Sequence, residues 1–264
     1  MTPATSLDKQ FEEIVLLNTR FHKLTVHDLI ASIVQAAKSS EKTTIAHVNV
    51  RGMNFACSMP WYRRFINQAN LVFCDGFGVL LGAKLNGYKV CSCHRMTCPD
   101  YIESLAKACE QQGVSLFLLA GEPGVTERAI AKLTAIAPNL KIQGHHGYFA
   151  KIGAENDAVI EQINRFQPDV LYVGFGMPLQ ERWIADNYDR VDTRVFLPLG
   201  ACLDFYTGAV YRGPQWLTDL GFEWLTRLIT KPGQLWQRYI LGNPLFLSRI
   251  LIESFRRHLG FSKS

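Results

Sequence analysis

Along residues 1–211 two kinds of pattern alternate. Short apolar runs, many of them β-branched, occupy Glu13–Leu17, Thr43–Val50, Leu71–Cys74, Val114–Ala120, Lys141–Gly144, Asp169–Phe175 and Arg194–Leu199. Between them lie stretches near residues 26–38, 58–69, 77–86, 99–112, 124–136, 155–166 and 178–187 whose apolar positions recur at helical spacing. Nearly continuous apolar runs suit strands buried on both faces, and the intervening helices are the crossovers that parallel pairing needs. The pattern predicts an α/β fold, a Rossmann-like and mostly parallel sheet sandwiched by helices. Helix starts have mechanisms of their own: Thr25 can cap with Asp28 three residues on, Ser58 precedes Pro60, and Pro178 suits a first turn. From Gly213 onward the pattern changes. Leu217, Leu220, Trp224, Leu225 and Leu228 fall at helical spacing, with Pro232 and Pro244 as punctuation and no strand signal. The expected division is a 1–211 α/β catalytic domain followed by a small helical C-terminal appendage, 212–264.

Charge sharpens that division. The tail carries eight Lys/Arg against three Asp/Glu, whereas residues 1–211 hold twenty of each, so the whole excess of +5 sits in the tail. Trp216, Trp224 and Trp236 are interleaved with these cations, a combination suited to the headgroup region of an anionic bilayer. A core-packed helical subdomain with a solvated basic face fits the same pattern. The best membrane-span candidate, Tyr239–Ile252, is broken by Asn243, Pro244, Ser248 and Arg249. The first residues lack a basic start followed by an apolar run and a cleavage site, and the seven cysteines form no disulfide framework. A cytoplasmic setting with reduced, partly buried thiols is therefore expected.

In doubly wound sheets ligands lie beyond the carboxyl ends of the strands, so the polar residues that follow apolar runs are the first candidates. In LVFCDGFGV, Asp75 follows a strand and can act as a general base, while Gly76 and Gly78 permit close approach. In LFLLAGEPGV, Gly121 and Gly124 frame a loop whose following helix can offer N–H groups to a phosphate; an ordinary βα turn reads the same. DVLYVGFGMPLQERW ends a strand with Gly174 and Gly176 and opens a helix with Gln180, able to bond a hydroxyl or to sit on the surface. In FLPLGACLDFYTGAVYRGP, Asp204 and Arg212 follow the last strand, with a loop and a capping Asp as the plain alternative. Between the first two junctions, Arg95 can pair with a diphosphate or a carboxylate, and Asp100 can cap its helix or bind a hydroxyl. His145 and His146 precede Tyr148 and suit packing or substrate contact. Cys91, Cys93, His94 and Cys98 invite a zinc reading but lack the paired CxxC spacing of structural sites. No Asp-x-Asp follows a strand, so cations and backbone N–H groups would have to neutralise any diphosphate leaving group.

Taken in order, the stretches CDGFGVLLGAKLNG, HRMTCPDY, FLLAGEPGV, GHHGYF, PDVLYVGFGMPLQERWI, GACLDFYTGAVYRGP and LGFEWLTRLITKPGQLWQRYI resemble the bacterial WecG/TagA/CpsF glycosyltransferases, over about His47 to Arg238. The resemblance implies an inverting transfer of a sugar (N-acetylmannosamine-type, glucose or a related uronic acid) from a UDP-sugar to an undecaprenyl-diphosphate-linked saccharide, in polysaccharide biosynthesis. It implies no cofactor and no metal. By position it puts the catalytic base on Asp75, the active-site arginine on Arg95 and a substrate-contacting glutamine on Gln180. Arg212, Arg227 and Arg238 become tail arginines that close over the diphosphate, in an enzyme held peripherally on the cytoplasmic face of the inner membrane. The substrate-binding set is then Asn49, Asp100, Gly121, Gly124, His146, Tyr148, Gly174, Gly176, Gln180, Asp204 and the three tail arginines. Two departures are visible: HVNVRGMNFA stands where many members have Thr-Pro-Asn, placing Asn49 at or near the threonine, and Cys98 stands where glycine is frequent.

Rival readings are a nucleotide-dependent oxidoreductase and a non-catalytic membrane or nucleic-acid binding module. No GxGxxG follows the first strand and no nucleic-acid motif accompanies the tail, so no nucleic-acid partner is expected. A monomer whose own tail completes the pocket and a homo-oligomer that displaces it both remain open.

Overall fold

The first strand signal does not lead into the main sheet. Leu17 and Asn18 both have positive φ (52° and 58°), the geometry of a two-residue hairpin turn. They reverse the chain so that β1 (Glu12–Leu16) pairs antiparallel with β2 (Thr19–Lys23) in a separate ribbon. The computed structural model describes residues 7, 10–214, 217, 223–230 and 232–259, the side chains of 223, 227, 232 and 234 excepted.

After α1 (Val26–Ala37), opened by the Thr25–Asp28 capping box, the expected strands form one six-stranded parallel sheet. Its members are β3 (Thr43–Val48), β4 (Leu71–Cys74), β5 (Leu116–Ala120), β6 (Ile142–His145), β7 (Val170–Gly174) and β8 (Val195–Pro198), in the order β4-β3-β8-β7-β5-β6. β3, β4, β5, β7 and β8 are buried along their whole length, and only the edge strand β6 is partly open. Side-chain alternation still divides the faces. Leu116, Leu118, Tyr172, Val195 and Leu197 pack with α1, α5 (Cys98–Gln112) and α6 (Val125–Ile136). Phe117, Leu119, Leu171, Val173 and Phe196 face α7 (Ala154–Phe166) and α8 (Leu179–Asn187).

The strand expected over Thr43–Val50 stops at Val48, because Asn49 caps a helix. Its side-chain oxygen accepts the Gly52 N–H at 3.0 Å and starts α2 (Val50–Ser58), a helix the sequence pattern did not predict ahead of the expected α3 (Pro60–Gln68). The segment read as a loop after β8 also contains a short helix, α9 (Cys202–Tyr206).

The C-terminal region has two parts. An arm contains α10 (Glu223–Thr230), α11 (Pro232–Trp236) and a π turn over Gln237–Leu241. It leads into α12 (Gly242–His258), which packs on α2 and on α4 (Phe77–Leu85), with Phe246 and Ile250 inside a hydrophobic cluster. Gly82 makes this fit possible: a Cβ there would stand 3.1 Å from both Phe246 and Ile250. Polar contacts fix the helix further. Arg249 donates to Asn54 Oδ1 at 2.8 Å, Glu253 accepts the Leu17 N–H at 3.1 Å, and Arg257 donates to the Val15 carbonyl at 2.7 Å. Trp216 and Leu220, named above as part of the tail pattern, lie outside the described residues.

A candidate active site at the carboxyl edge of the sheet

Three cavities open along the carboxyl ends of the strands, where the topology leads a ligand to be sought. Asp75 is the first residue beyond β4. Its N–H donates to the Val48 carbonyl at 2.8 Å, and Gly76, at φ +101°, turns the chain away into α4. The carboxylate is therefore held by the parallel β3–β4 pair and remains 27% exposed. Asn49, at the end of β3, donates to Asp75 Oδ2 at 3.3 Å.

Asp75, Asn49, Arg51, Thr97 and Arg238 are shared by two adjoining cavities of about 300 and 130 Å³. Arg95 lines the larger, whose other wall is apolar: Phe77, Leu81, Trp224, Tyr239, Phe246 and Leu247. The smaller runs beneath Asp75 toward His47, Gly176 and Gly200. A third cavity, about 690 Å³, lies beyond β5, β6 and β7; its lining includes Gly121, Gly147, Tyr148, Lys151, Gly174 and Asp204, and it shares Gly176 and Ala201 with the second. Lys151 donates to the carbonyls of Gly147 and Phe149, each at 2.7 Å, and sits over the rings of Phe149 and Phe175. Burial lowers its pKa to about 8, against the opposing pull of Glu155.

Of the sequence candidates, Asp75, Arg95, Asn49 and Arg238 converge at the first cavity, and Gly121, Tyr148, Gly174, Gly176 and Asp204 meet at the third. Others are placed differently. Gln180 does not face any of the three cavities. It is fully buried, and its side-chain oxygen accepts the N–H groups of Gly176 (3.2 Å) and Gly200 (3.0 Å). Backbone N–H groups only donate, so the amide nitrogen must point the other way, and it donates to Glu181 Oε1 at 2.8 Å. The expected substrate contact is thus a staple between the loops after β7 and β8. Glu181 is buried too, and desolvation raises its pKa from 4.5 to about 7 against the hydrogen bond from Gln180 and the charge of Arg51.

Asp100 does not cap its helix with its side chain. It holds Arg212 through a two-pronged ion pair, one arm of which is Nη2 to Oδ2 at 2.9 Å, so two candidates for substrate contact engage each other. His146 and Gly124 line none of the three cavities; His146 stacks on His145 and accepts the Tyr148 N–H. The Arg227 side chain lies outside what the structure describes.

The thiol expectation needs correction, because the starts of α5 and α9 lie side by side. Cys98 and Cys202 are joined with Cα atoms 5.6 Å apart, and Cys91 is joined to Cys93, while Cys57, Cys74 and Cys109 are free. Cys91, Cys93 and His94 are also the one group among the described residues spaced for a metal, which it could hold only with the Cys91–Cys93 bond reduced. Sequence reasoning missed Arg51, Lys151, Glu181 and His47. Arg51 carried a signal, as a cation three residues past the end of β3; the burial of His47 and Glu181 did not.

A family model described as the glycosyl transferase WecG/TagA/CpsF family matches residues 14–260. The chain is also similar to the N-acetylglucosaminyldiphosphoundecaprenol N-acetyl-beta-D-mannosaminyltransferase of Staphylococcus aureus strain MRSA252, at 28% identity over 242 residues, which is 90% of this chain and 92% of the relative. The enzyme of that name from strain NCTC 8325 / PS 47 shows the same identity and coverage.

Proposed function

Because the chain belongs to the WecG/TagA/CpsF glycosyltransferase family, it is a glycosyltransferase of cell-surface polysaccharide synthesis, and we propose that it moves one sugar from a UDP donor onto a polyprenyl-diphosphate-linked N-acetylglucosamine. That membership removes the oxidoreductase and the non-catalytic module as readings of the glycine loops and the basic tail. The acceptor follows from the relatives' names, and N-acetylmannosamine is the first donor sugar to test.

One observation carries the mechanism. Asp75, a carboxylate on the rim of the sheet, lines both an arginine-rich cavity with an apolar wall and a passage that shares Gly176 with the glycine-lined cavity. In the proposed reaction the acceptor hydroxyl attacks the anomeric carbon while its proton passes to Asp75, and UDP departs from the opposite face, inverting the centre. Arg51, Arg95 and Arg238 supply positive charge for diphosphate oxygens in place of a metal. The nucleotide occupies the third cavity, where Gly121, Gly147 and Gly174 let backbone approach it closely and Tyr148 and Lys151 border it. The apolar wall of the first cavity takes the start of the polyprenyl chain.

Membrane association is part of the same proposal. No described helix is long and apolar enough to cross a bilayer. At least three of the eight tail cations are engaged within the protein, Arg212 with Asp100, Arg249 with Asn54 and Arg257 with Val15, and exposed apolar side chains such as Leu251, Ile252 and Phe255 would join other tail cations in contact with the surface.

The test is incubation with a panel of UDP-sugars and polyprenyl-diphosphate-linked N-acetylglucosamine in the presence of a chelator, following UDP release and acceptor mass. The expected result is release coupled to one added sugar and unaffected by chelation. Transfer that stops on chelation and returns with a divalent cation overturns the metal-free mechanism. Turnover of no UDP-sugar overturns the donor class.

A further inference from the structure

Behind Asp75 lies an imidazole that the mechanism above leaves unused. His47, on β3, is buried, lies tilted against Phe73 with ring centroids 5.6 Å apart, and borders the passage beneath the carboxylate. Its Nδ1 lies 2.8 Å from the carbonyl oxygen of Pro198 at the end of β8. A carbonyl only accepts, so Nδ1 carries the hydrogen and the Nε2 of the neutral ring presents a lone pair. That lone pair faces Asp75 Oδ2 at 3.8 Å. The separation is too long for a hydrogen bond, and it is what two acceptors without a shared proton adopt.

Burial holds the His47 pKa below its ordinary 6.5, although the Asp75 charge and the Pro198 carbonyl pull the other way; the Arg238 charge lowers it further. At neutral pH the ring is thus a neutral imidazole, with room between Nε2 and Asp75 Oδ2 for one proton. One proton arrives each time Asp75 deprotonates an acceptor hydroxyl.

We propose that His47 is the positioning and proton-holding partner of Asp75. This inference rests on Asp75 being the base. When the acceptor O–H bond breaks, its proton bonds to Asp75, the new glycosidic C–O bond forms, and the bond to UDP breaks with the electron pair leaving on the diphosphate. The carboxylic proton then transfers from Oδ2 to Nε2 as the two atoms close to hydrogen-bond distance. Asp75 returns to a carboxylate beside an imidazolium, which its negative charge stabilises. The ring's proton leaves to solvent after product release. The Nδ1–H bond to β8 keeps the ring aimed through the cycle, as second-sphere carbonyls do for other histidines.

The experiment compares the wild type with His47→Gln and Asp75→Asn, recording kcat, KM and their pH dependence. Glutamine can still hydrogen-bond Asp75 but cannot take its proton. Expected for H47Q are a kcat lower by about 10- to 100-fold, KM within about twofold, and a displaced acid limb of the kcat profile. An inactive D75N together with H47Q of normal kcat and unchanged pH profile overturns the proposal while leaving Asp75 as base. An active D75N instead removes the reading on which both depend. Should H47Q fold poorly, 15N-histidine NMR of the wild type decides: a neutral ring protonated on Nδ1 at pH 7.5 supports the proposal, and one protonated on Nε2 overturns it.

Discussion

The two ends of the sheet's carboxyl edge are built from different material. Beyond β3 and β4 the site consists of side chains: a carboxylate, an amide, a buried imidazole and three arginines around two cavities. Beyond β5 and β7 the wall includes four glycines, Gly121, Gly147, Gly174 and Gly176, more than line either of the other two cavities, beside side chains such as Tyr148 and Lys151. The difference teaches where each kind of substitution should register. Changes among the side chains should alter turnover and spare the fold, whereas changes among the glycines should disturb folding and nucleotide binding together. The Gln180 staple lies at the seam, tying Gly176 to Gly200.

The contrast breaks most sharply at Asp75. Asp75→Asn should lower kcat by about 10³-fold or more with little change in melting temperature, because the carboxylate is partly exposed and packs against little. A large loss of stability would mean that the side-chain end is structural too.

The seam comes next. Glu181 has a folded pKa of about 7 against 4.5 ordinarily, so between those values the folded protein binds the extra proton. Its contribution therefore favours the fold below about pH 4.5 and is lost as pH rises toward 7, by about 3 kcal/mol in all. Chemical denaturation between pH 5 and 8 should show this decline in the wild type and a flatter profile in Glu181→Gln.

At the glycine end, a Cβ on Gly174 would stand 2.6 Å from both the Gly200 carbonyl oxygen and the Ala120 Cβ. Gly174→Ala should destabilise by about 1–3 kcal/mol in urea unfolding and weaken UDP binding in calorimetry. Normal stability with normal UDP affinity would show that backbone packing does not shape that wall. The smallest effect is expected at Lys151. Lys151→Met should weaken UDP binding about twofold to fivefold, and wild-type affinity should decline as pH passes about 8, where the amine loses its charge.

The same contrast explains what could be read in advance. Five of the six parallel strands were legible as buried apolar runs, β6 being a partly open edge, and Asp75 was legible as an acid placed directly after one. The hairpin was not: TRFHK carries a single strongly apolar residue, and its turn is set by Leu17 and Asn18 rather than by glycine. Nor was α2 legible, since its start depends on one Asn49 hydrogen bond at the end of an apolar run. Gln180 shows the limit at the site itself. Nothing about a glutamine in a first helical turn tells whether its amide meets a sugar or the backbone N–H groups of Gly176 and Gly200, one of them 20 residues further along the chain. The Arg212–Asp100 pair spans 112 residues, beyond any local pattern.

The docking of α12 on the β1–β2 hairpin has a consequence in time. Glu253 closes a contact with Leu17 across 236 residues, and Arg257 reaches Val15 across 242. Long-range closures of this kind are slow and come late in folding. During synthesis the hairpin emerges before α12 and must wait for it, and that helix also brings Phe246 and Leu247 to the wall of the first cavity. The sheet and its glycine loops would thus be in place before the acceptor side is finished, and a chain that ended before Phe246 would lack part of that wall.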